Sequence, residues 1–195
     1  MRLLVVNNHS AHIKELLLQL GTSHLIDFEL LSSTDLSQYD AIILSGGSSL
    51  SVKNHEKEYA AEFALIETWT KPMLGICLGF ELINFAFDEE LVRLNARESG
   101  TLPIELLDAA SGDALFGTFP RAFTVYESHR WIVAQNKFLL PLARSKDGIE
   151  AVKHPQRMIY GVQFHPEVFV ADGHAAALLR SFLDYCMKMK PQTKL

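Results

Sequence analysis

The segment Pro72-Met73-Leu74-Gly75-Ile76-Cys77-Leu78-Gly79-Phe80-Glu81 carries one of the two cysteines of the 195-residue chain, where an apolar run gives way to a helical pattern. Glycines lie two residues before and two after Cys77. A strand-to-helix switch of this kind is a nucleophile elbow, with Cys in place of the usual Ser. The glycines let neighbouring backbone come close around a strained turn. The new helix aims free N–H groups at the thiol, which is expected to lower its pKa and to offer the N–H of Leu78 to an oxyanion. A free cysteine is more often a small buried hydrophobe, and for Cys77 alone the two readings stand level. Cys186 sits on an apolar helical stripe and reads as packing.

A cysteine nucleophile needs a base, and the base needs a group that fixes its tautomer. Tyr160-Gly161-Val162-Gln163-Phe164-His165-Pro166-Glu167 supplies both. His165 falls at the end of an apolar strand, at the sheet edge where α/β sites form, and Glu167 is near enough to bond the far imidazole nitrogen. Taken alone, a His-x-Glu is weak evidence. Its weight comes from pairing with a distant Cys. Ser45-Gly46-Gly47-Ser48 also follows a strand, and the N–H of Gly47 is the expected second oxyanion donor. No lysine follows in P-loop register, so a phosphate cradle is not expected.

The elements that must position these groups alternate in the first half. Residues 3–6, 28–31, 41–44 and 72–76 read as strands, and 9–20, 55–69 and 78–87 as helices. That order predicts a mostly parallel α/β sheet covered by helices on both faces. In the second half, 91–94, 102–107, 123–126, 139–143, 149–152 and 159–164 read as strands with few helices between, hence appended antiparallel pairs. A last helix is expected over 173–187, and 191–195 is expected to fray. The length suits a single domain over 1–190. A net charge of −5, with 18 basic against 23 acidic residues, argues against nucleic acid or an anionic membrane as partner. Mean hydropathy is +0.09, too high for a disordered chain. Two isolated cysteines suit a reducing, cytoplasmic setting. His9 and His12 have helical spacing but no further ligands in view, so no metal site is expected.

Leu44-Ser45-Gly46-Gly47, Gly75-Ile76-Cys77-Leu78-Gly79 and Gly161-Val162-Gln163-Phe164-His165-Pro166-Glu167, in that order, resemble the class I glutamine amidotransferases, whose fold is a flavodoxin-like α/β sheet. The resemblance implies hydrolysis of the glutamine side-chain amide through a thioester on Cys77. His165 would act as acid and base, Glu167 would orient it, and Gly47 and Leu78 would hold the oxyanion. Gly46, Glu81, Ser128 and His129 would line the substrate. No cofactor is implied. Glu127-Ser128-His129, Ala96-Arg97-Glu98-Ser99-Gly100 and Ile149-Glu150-Ala151-Val152-Lys153-His154 are similar to the separate glutaminase subunits of GMP synthetase, implying a separate ATP-dependent synthetase as ammonia acceptor.

Three positions depart from that pattern. Glu81 stands where the family has Gln four residues after the cysteine. Trp131 replaces an Asp two after the Ser-His pair. Asp88-Glu89-Glu90 replaces a Gly-Gly and reads as a changed surface turn. Glu81 keeps open a γ-glutamyl amide or peptide hydrolase of the same fold. A non-catalytic binding member is the third reading, against which the intact Cys77, His165 and Glu167 argue.

Overall fold

The computed structural model describes residues 1–171 and 174–189. The start of the expected last helix at Gly173 and the tail 191–195 lie outside the described residues. The first strand, β1 (Leu3–Asn7), is buried on both faces along residues 3–6. Leu3 and Val5 point into one apolar cluster and Leu4 and Val6 into another. The strand is therefore central, and its unbroken apolar run needs helices on both sides. Helix α1 (Ile13–Leu20) covers one face together with α4 (His174–Met189). Helices α2 (Ala60–Thr68) and α3 (Leu78–Ala86) pack on the other. Gly21 ends α1 at φ 69°, its N–H bonding the carbonyl of Leu17 at 3.1 Å.

Strands β2 (His24–Asp27), β1, β3 (Ala41–Leu44), β4 (Met73–Ile76) and β9 (Ile159–Val162) lie side by side and parallel. The segment expected as a strand over 28–31 is instead a 3-10 turn at Phe28–Ser33. Phe28 and Leu31, three residues apart, drop onto the same apolar cluster, which an alternating strand could not achieve.

The expectation of a mostly parallel sheet is not met. Antiparallel β8 (Ile149–Lys153), β6 (Ala122–Val133), β5 (Leu91–Leu106) and β7 (Leu140–Arg144) continue the sheet beyond β9, and β7 also pairs with β8. These four strands close into a small barrel. The two short strands expected over 91–94 and 102–107 are one long strand, interrupted by a register shift between Arg93 and Glu98. A long twisted ribbon coils, which here lets β7 bridge the outer strand back to β8 and removes an open edge.

Candidate active site

Cys77 is the hinge between β4 and α3. Its backbone adopts φ 49° and ψ −100°, a strained conformation for a residue with a Cβ. Its N–H bonds the Val162 carbonyl at 2.8 Å, and its carbonyl accepts the first helical bond from Glu81 N–H at 2.9 Å. A Cβ on Gly75 would lie 2.4 Å from the Gly79 carbonyl oxygen, and one on Gly79 would lie 2.3 Å from that of Leu44. Both flanking glycines are therefore demanded by the approach of α3 to the sheet.

His165 enters from the loop after β9, where its N–H bonds the Tyr126 carbonyl at 2.9 Å. Its Nδ1 lies 2.8 Å from Glu167 Oε1, and both side chains are buried. The Val168 N–H closes this turn on the His165 carbonyl at 3.2 Å. The Gln19 side chain donates to the Glu167 carbonyl at 2.6 Å.

The third segment follows β3. Ser45 Oγ accepts from the Asn8 N–H at 2.9 Å and donates to the Gly46 carbonyl at 2.9 Å. The Asn8 amide donates to the Ser45 carbonyl and to Glu62 Oε1, each at 3.1 Å. This buried network fixes the loop so that Gly46 sits between the other two groups. A Cβ there would be 3.5 Å from Cys77 Cβ and 2.9 Å from His165 Cε1.

Cys77 opens into a cavity of about 260 Å³ lined also by Gly47, Leu78, Glu81, Ser128, His129 and Trp131. His165 opens into a smaller adjoining space that shares Gly47, Ser48, Arg97 and Ser128. Cys77 Sγ faces the Ser128 carbonyl at 4.0 Å and the Gln163 amide at 3.9 Å, and among the described residues it makes no hydrogen bond to His165. Burial pushes the thiol well above its ordinary pKa, reinforced by Glu81, Glu127 and Glu167, while the Leu78 N–H pulls the other way. The expected lowering of the thiol pKa is thus reversed. Desolvation and nearby carboxylates outweigh one helix N-terminus.

Residues 4–185 match the family model for the class I glutamine amidotransferase domain. The chain belongs to the class I glutamine amidotransferases. It is 42% identical over 151 residues to a glutamine-hydrolyzing GMP synthase subunit of Pyrococcus furiosus, covering 74% of each chain. It is 30% identical over 192 residues to the protein of the same name from Methanothermobacter thermautotrophicus, covering 94% of this chain and 97% of that one. Among solved structures, a putative GMP synthase subunit from Thermoplasma acidophilum superposes with a TM-score of 0.82 at 25% identity, over 96% of this chain and 94% of the other. These place the α/β sheet and its barrel within the class I amidotransferase fold.

Within this amidotransferase, His129 lines the cavity with its side chain buried, Nδ1 donating to the Trp131 carbonyl at 3.0 Å and Nε2 lying 3.2 Å from Glu127. Two positions differ from their sequence reading. His12, expected as a helix-surface residue, stands edge-on to His165 with ring centroids 5.0 Å apart. Glu89 is not part of a surface turn. It is buried and accepts the N–H groups of Lys137, Phe138 and Leu139 at 2.7–3.0 Å. Glu81 is buried against the cavity, bonded by the Gln163 side chain, and burial raises its pKa to about 8. It therefore stands there as a neutral acid at pH 7, closer in charge to a carboxamide than to a carboxylate.

The sequence alone does not single out Gln163 or Arg97 as site residues. Gln163 lies inside the motif that ends in Glu167, but only the fold turns its amide toward the thiol. Arg97 arises from the register shift in β5, and its guanidinium donates to Ser128 Oγ at 2.7 Å on the cavity wall.

Proposed function

We propose that this chain is the glutaminase subunit of a GMP synthase, releasing ammonia from glutamine for a separate ATP-dependent synthetase. The reading is carried by one observation: the strained cysteine at the strand-to-helix junction faces an open cavity, with a buried His165–Glu167 pair beyond a glycine. The GMP assignment rests on the relatives of that name.

In this reading the glutamine amide carbon sits against Cys77 Sγ. The raised thiol pKa means that the proton leaves during attack rather than before it. A turn about the Cys77 Cα–Cβ bond brings Sγ toward the imidazole across Gly46, which has no Cβ to obstruct it. His165 takes the proton, and Glu167 stabilises the imidazolium and fixes its orientation. The N–H groups of Leu78 and Gly47 hold the oxyanion. His165 returns the proton to the departing ammonia, leaving a γ-glutamyl thioester. Water, activated by the same imidazole, then releases glutamate and restores the thiol. Arg97 and Arg130 at the cavity supply positive charge for the substrate's α-carboxylate. Glu81 and Ser128 complete the wall. A cytoplasmic setting belongs to the same reading. Among the described residues, no helix is long and apolar enough to cross a membrane.

The test is reconstitution with a candidate synthetase. GMP formation driven by glutamine should vanish in Cys77→Ala, while formation driven by added ammonium should survive. Glutamine-driven formation that persists in Cys77→Ala would reject the reading. Glu81 favours a second reading, hydrolysis of γ-glutamyl amides or peptides. Turnover of such compounds without any synthetase, faster than turnover of glutamine, would establish it instead.

A further inference from the structure

The interior of the barrel contains a group of side chains that the proposed glutaminase reaction does not use. Along β6, Phe123, Val125, Glu127 and His129 alternate inward. The first two meet the apolar core. The next two meet Glu150 of β8, and one ligand-capable atom from each of Glu127, His129 and Glu150 lies within 4.8 Å of the others. The side chains of Glu127 and His129 are each 1% exposed.

A carbonyl can only accept, so the His129 Nδ1 contact with the Trp131 carbonyl at 3.0 Å fixes the hydrogen on Nδ1. Burial lowers the His129 pKa and favours the neutral ring, in which Nε2 is then the unprotonated nitrogen, 3.2 Å from Glu127 Oε2. Among the described residues no donor from outside the group reaches either Glu127 oxygen or Glu150 Oε2, and the two carboxyl groups hydrogen-bond each other through a proton that a bound metal would displace. Only Glu150 Oε1 is served, by Ser145 Oγ at 2.7 Å. Among the described residues no lysine or arginine pairs with Glu127 or Glu150. Lys146, the neighbouring cation, goes to Glu98 and Asp147 at 3.6 and 3.7 Å. Carboxyl oxygens facing an imidazole nitrogen in a barrel interior need either protons or a cation between them.

We propose that Glu127, His129 and Glu150 form a buried binding site for a zinc ion. One imidazole nitrogen with two carboxylates is a zinc donor set, whereas calcium and magnesium take oxygen alone. The bond from the far imidazole nitrogen to a backbone carbonyl is the outer support that metal-bound histidines have. Zinc bonds of about 2.0–2.2 Å place donors roughly 3.3–3.6 Å apart. The His129–Glu127 contact already has nearly this spacing, and Glu150 closes the remainder by side-chain rotation. With three protein ligands the fourth position would fall to water, and the ion's role here would be to hold the barrel wall in place. Ser128 lies between two of the ligands, with its carbonyl facing Cys77 Sγ and its hydroxyl on Arg97. Pinning its neighbours fixes this wall of the cavity.

The purified full chain is stripped with EDTA, and zinc is then titrated by calorimetry with metal content read by mass spectrometry. About one tightly held zinc per chain is expected, accompanied by a rise in Tm. Glu127→Gln and Glu150→Gln should each weaken binding by at least about tenfold, the loss that even an outer partner of a metal ligand causes. Cys77→Ala should bind as wild type. Cobalt on the wild-type chain gives a readout that needs no variant: tetrahedral d–d bands without a thiolate charge-transfer band. The proposal is overturned if no stoichiometric zinc binds, if binding disappears in Cys77→Ala, or if cobalt shows the thiolate band.

Discussion

His165 Nδ1 and Glu167 Oε1 stand 2.8 Å apart, with both side chains almost wholly out of water. A carboxylate in that place sets the imidazole tautomer, leaving Nε2 free to receive a proton. Glu167→Gln keeps the shape but offers an amide in place of the carboxylate, so glutaminase kcat should fall by about 10²–10⁴-fold with little change in KM. Steady-state kinetics of the reconstituted complex check this. A loss of less than about threefold would remove Glu167 from the proposed machinery.

Glu81 predicts a pH effect. Its folded pKa of about 8 lies above the ordinary 4.5, because burial disfavours the charged form. Below 4.5 both folded and unfolded states hold the proton, so there is no penalty. As pH rises from 4.5 to about 8 the unfolded chain releases the proton and the folded chain does not, and stability falls by up to ~1.4 kcal/mol per unit. Above 8 the loss levels off. Glu81→Gln should therefore stabilise the protein at pH 7 and scarcely at pH 4. Glu62 is also raised to about 8, so the difference between wild type and variant, measured by urea unfolding across pH, isolates Glu81. In activity, ionised Glu81 opposes a developing thiolate. Wild-type kcat/KM should decline above pH 8 relative to Glu81→Gln. Parallel profiles would show that Glu81 does not act on Cys77.

Gly46 and Gly79 should separate chemistry from folding. A methyl at Gly46 meets His165 Cε1 at 2.9 Å, a side chain that can move aside. Gly46→Ala should fold with a cost of about 1 kcal/mol yet lose at least about 10²-fold in kcat, because the imidazole is displaced from its line to Cys77. A methyl at Gly79 meets the Leu44 carbonyl oxygen at 2.3 Å, which is backbone. Gly79→Ala should lower stability by roughly 3 kcal/mol or more. Thermal unfolding and glutaminase rates on both variants distinguish the two effects.

Glu89 should matter for stability and not for chemistry. Its carboxylate serves three successive backbone N–H groups, at Lys137, Phe138 and Leu139. Glu89→Ala strands those donors and should cost about 2–4 kcal/mol. Labelling of Cys77 by a diazo-ketone glutamine analogue should proceed at the wild-type rate in the folded variant. A fully stable Glu89→Ala would contradict the anchoring role.

The residues of the candidate site were legible because their chemistry is local. Glycines flanking Cys77 at a strand-to-helix switch, a Gly-Gly after β3 and a His-x-Glu after β9 are set by short stretches of backbone, and the fold brings all three to one sheet edge. The parallel half was legible for the same reason: a four-residue apolar run such as 3–6 must be buried on both faces. Charge state, register and closure were not legible. The sequence shows a helix N-terminus at Cys77, but only the packed surroundings reveal that burial, with acidic side chains beside it, reverses its effect. It shows Glu89 in an acidic run, yet the chain brings residues 137–139 back to that carboxylate from some fifty positions away. Arg97 reaches the cavity through a register shift, and β7 closes the barrel through pairings to both β5 and β8. Each of these is decided by contacts distant in sequence, whose energies depend on what else is excluded from water at the same place.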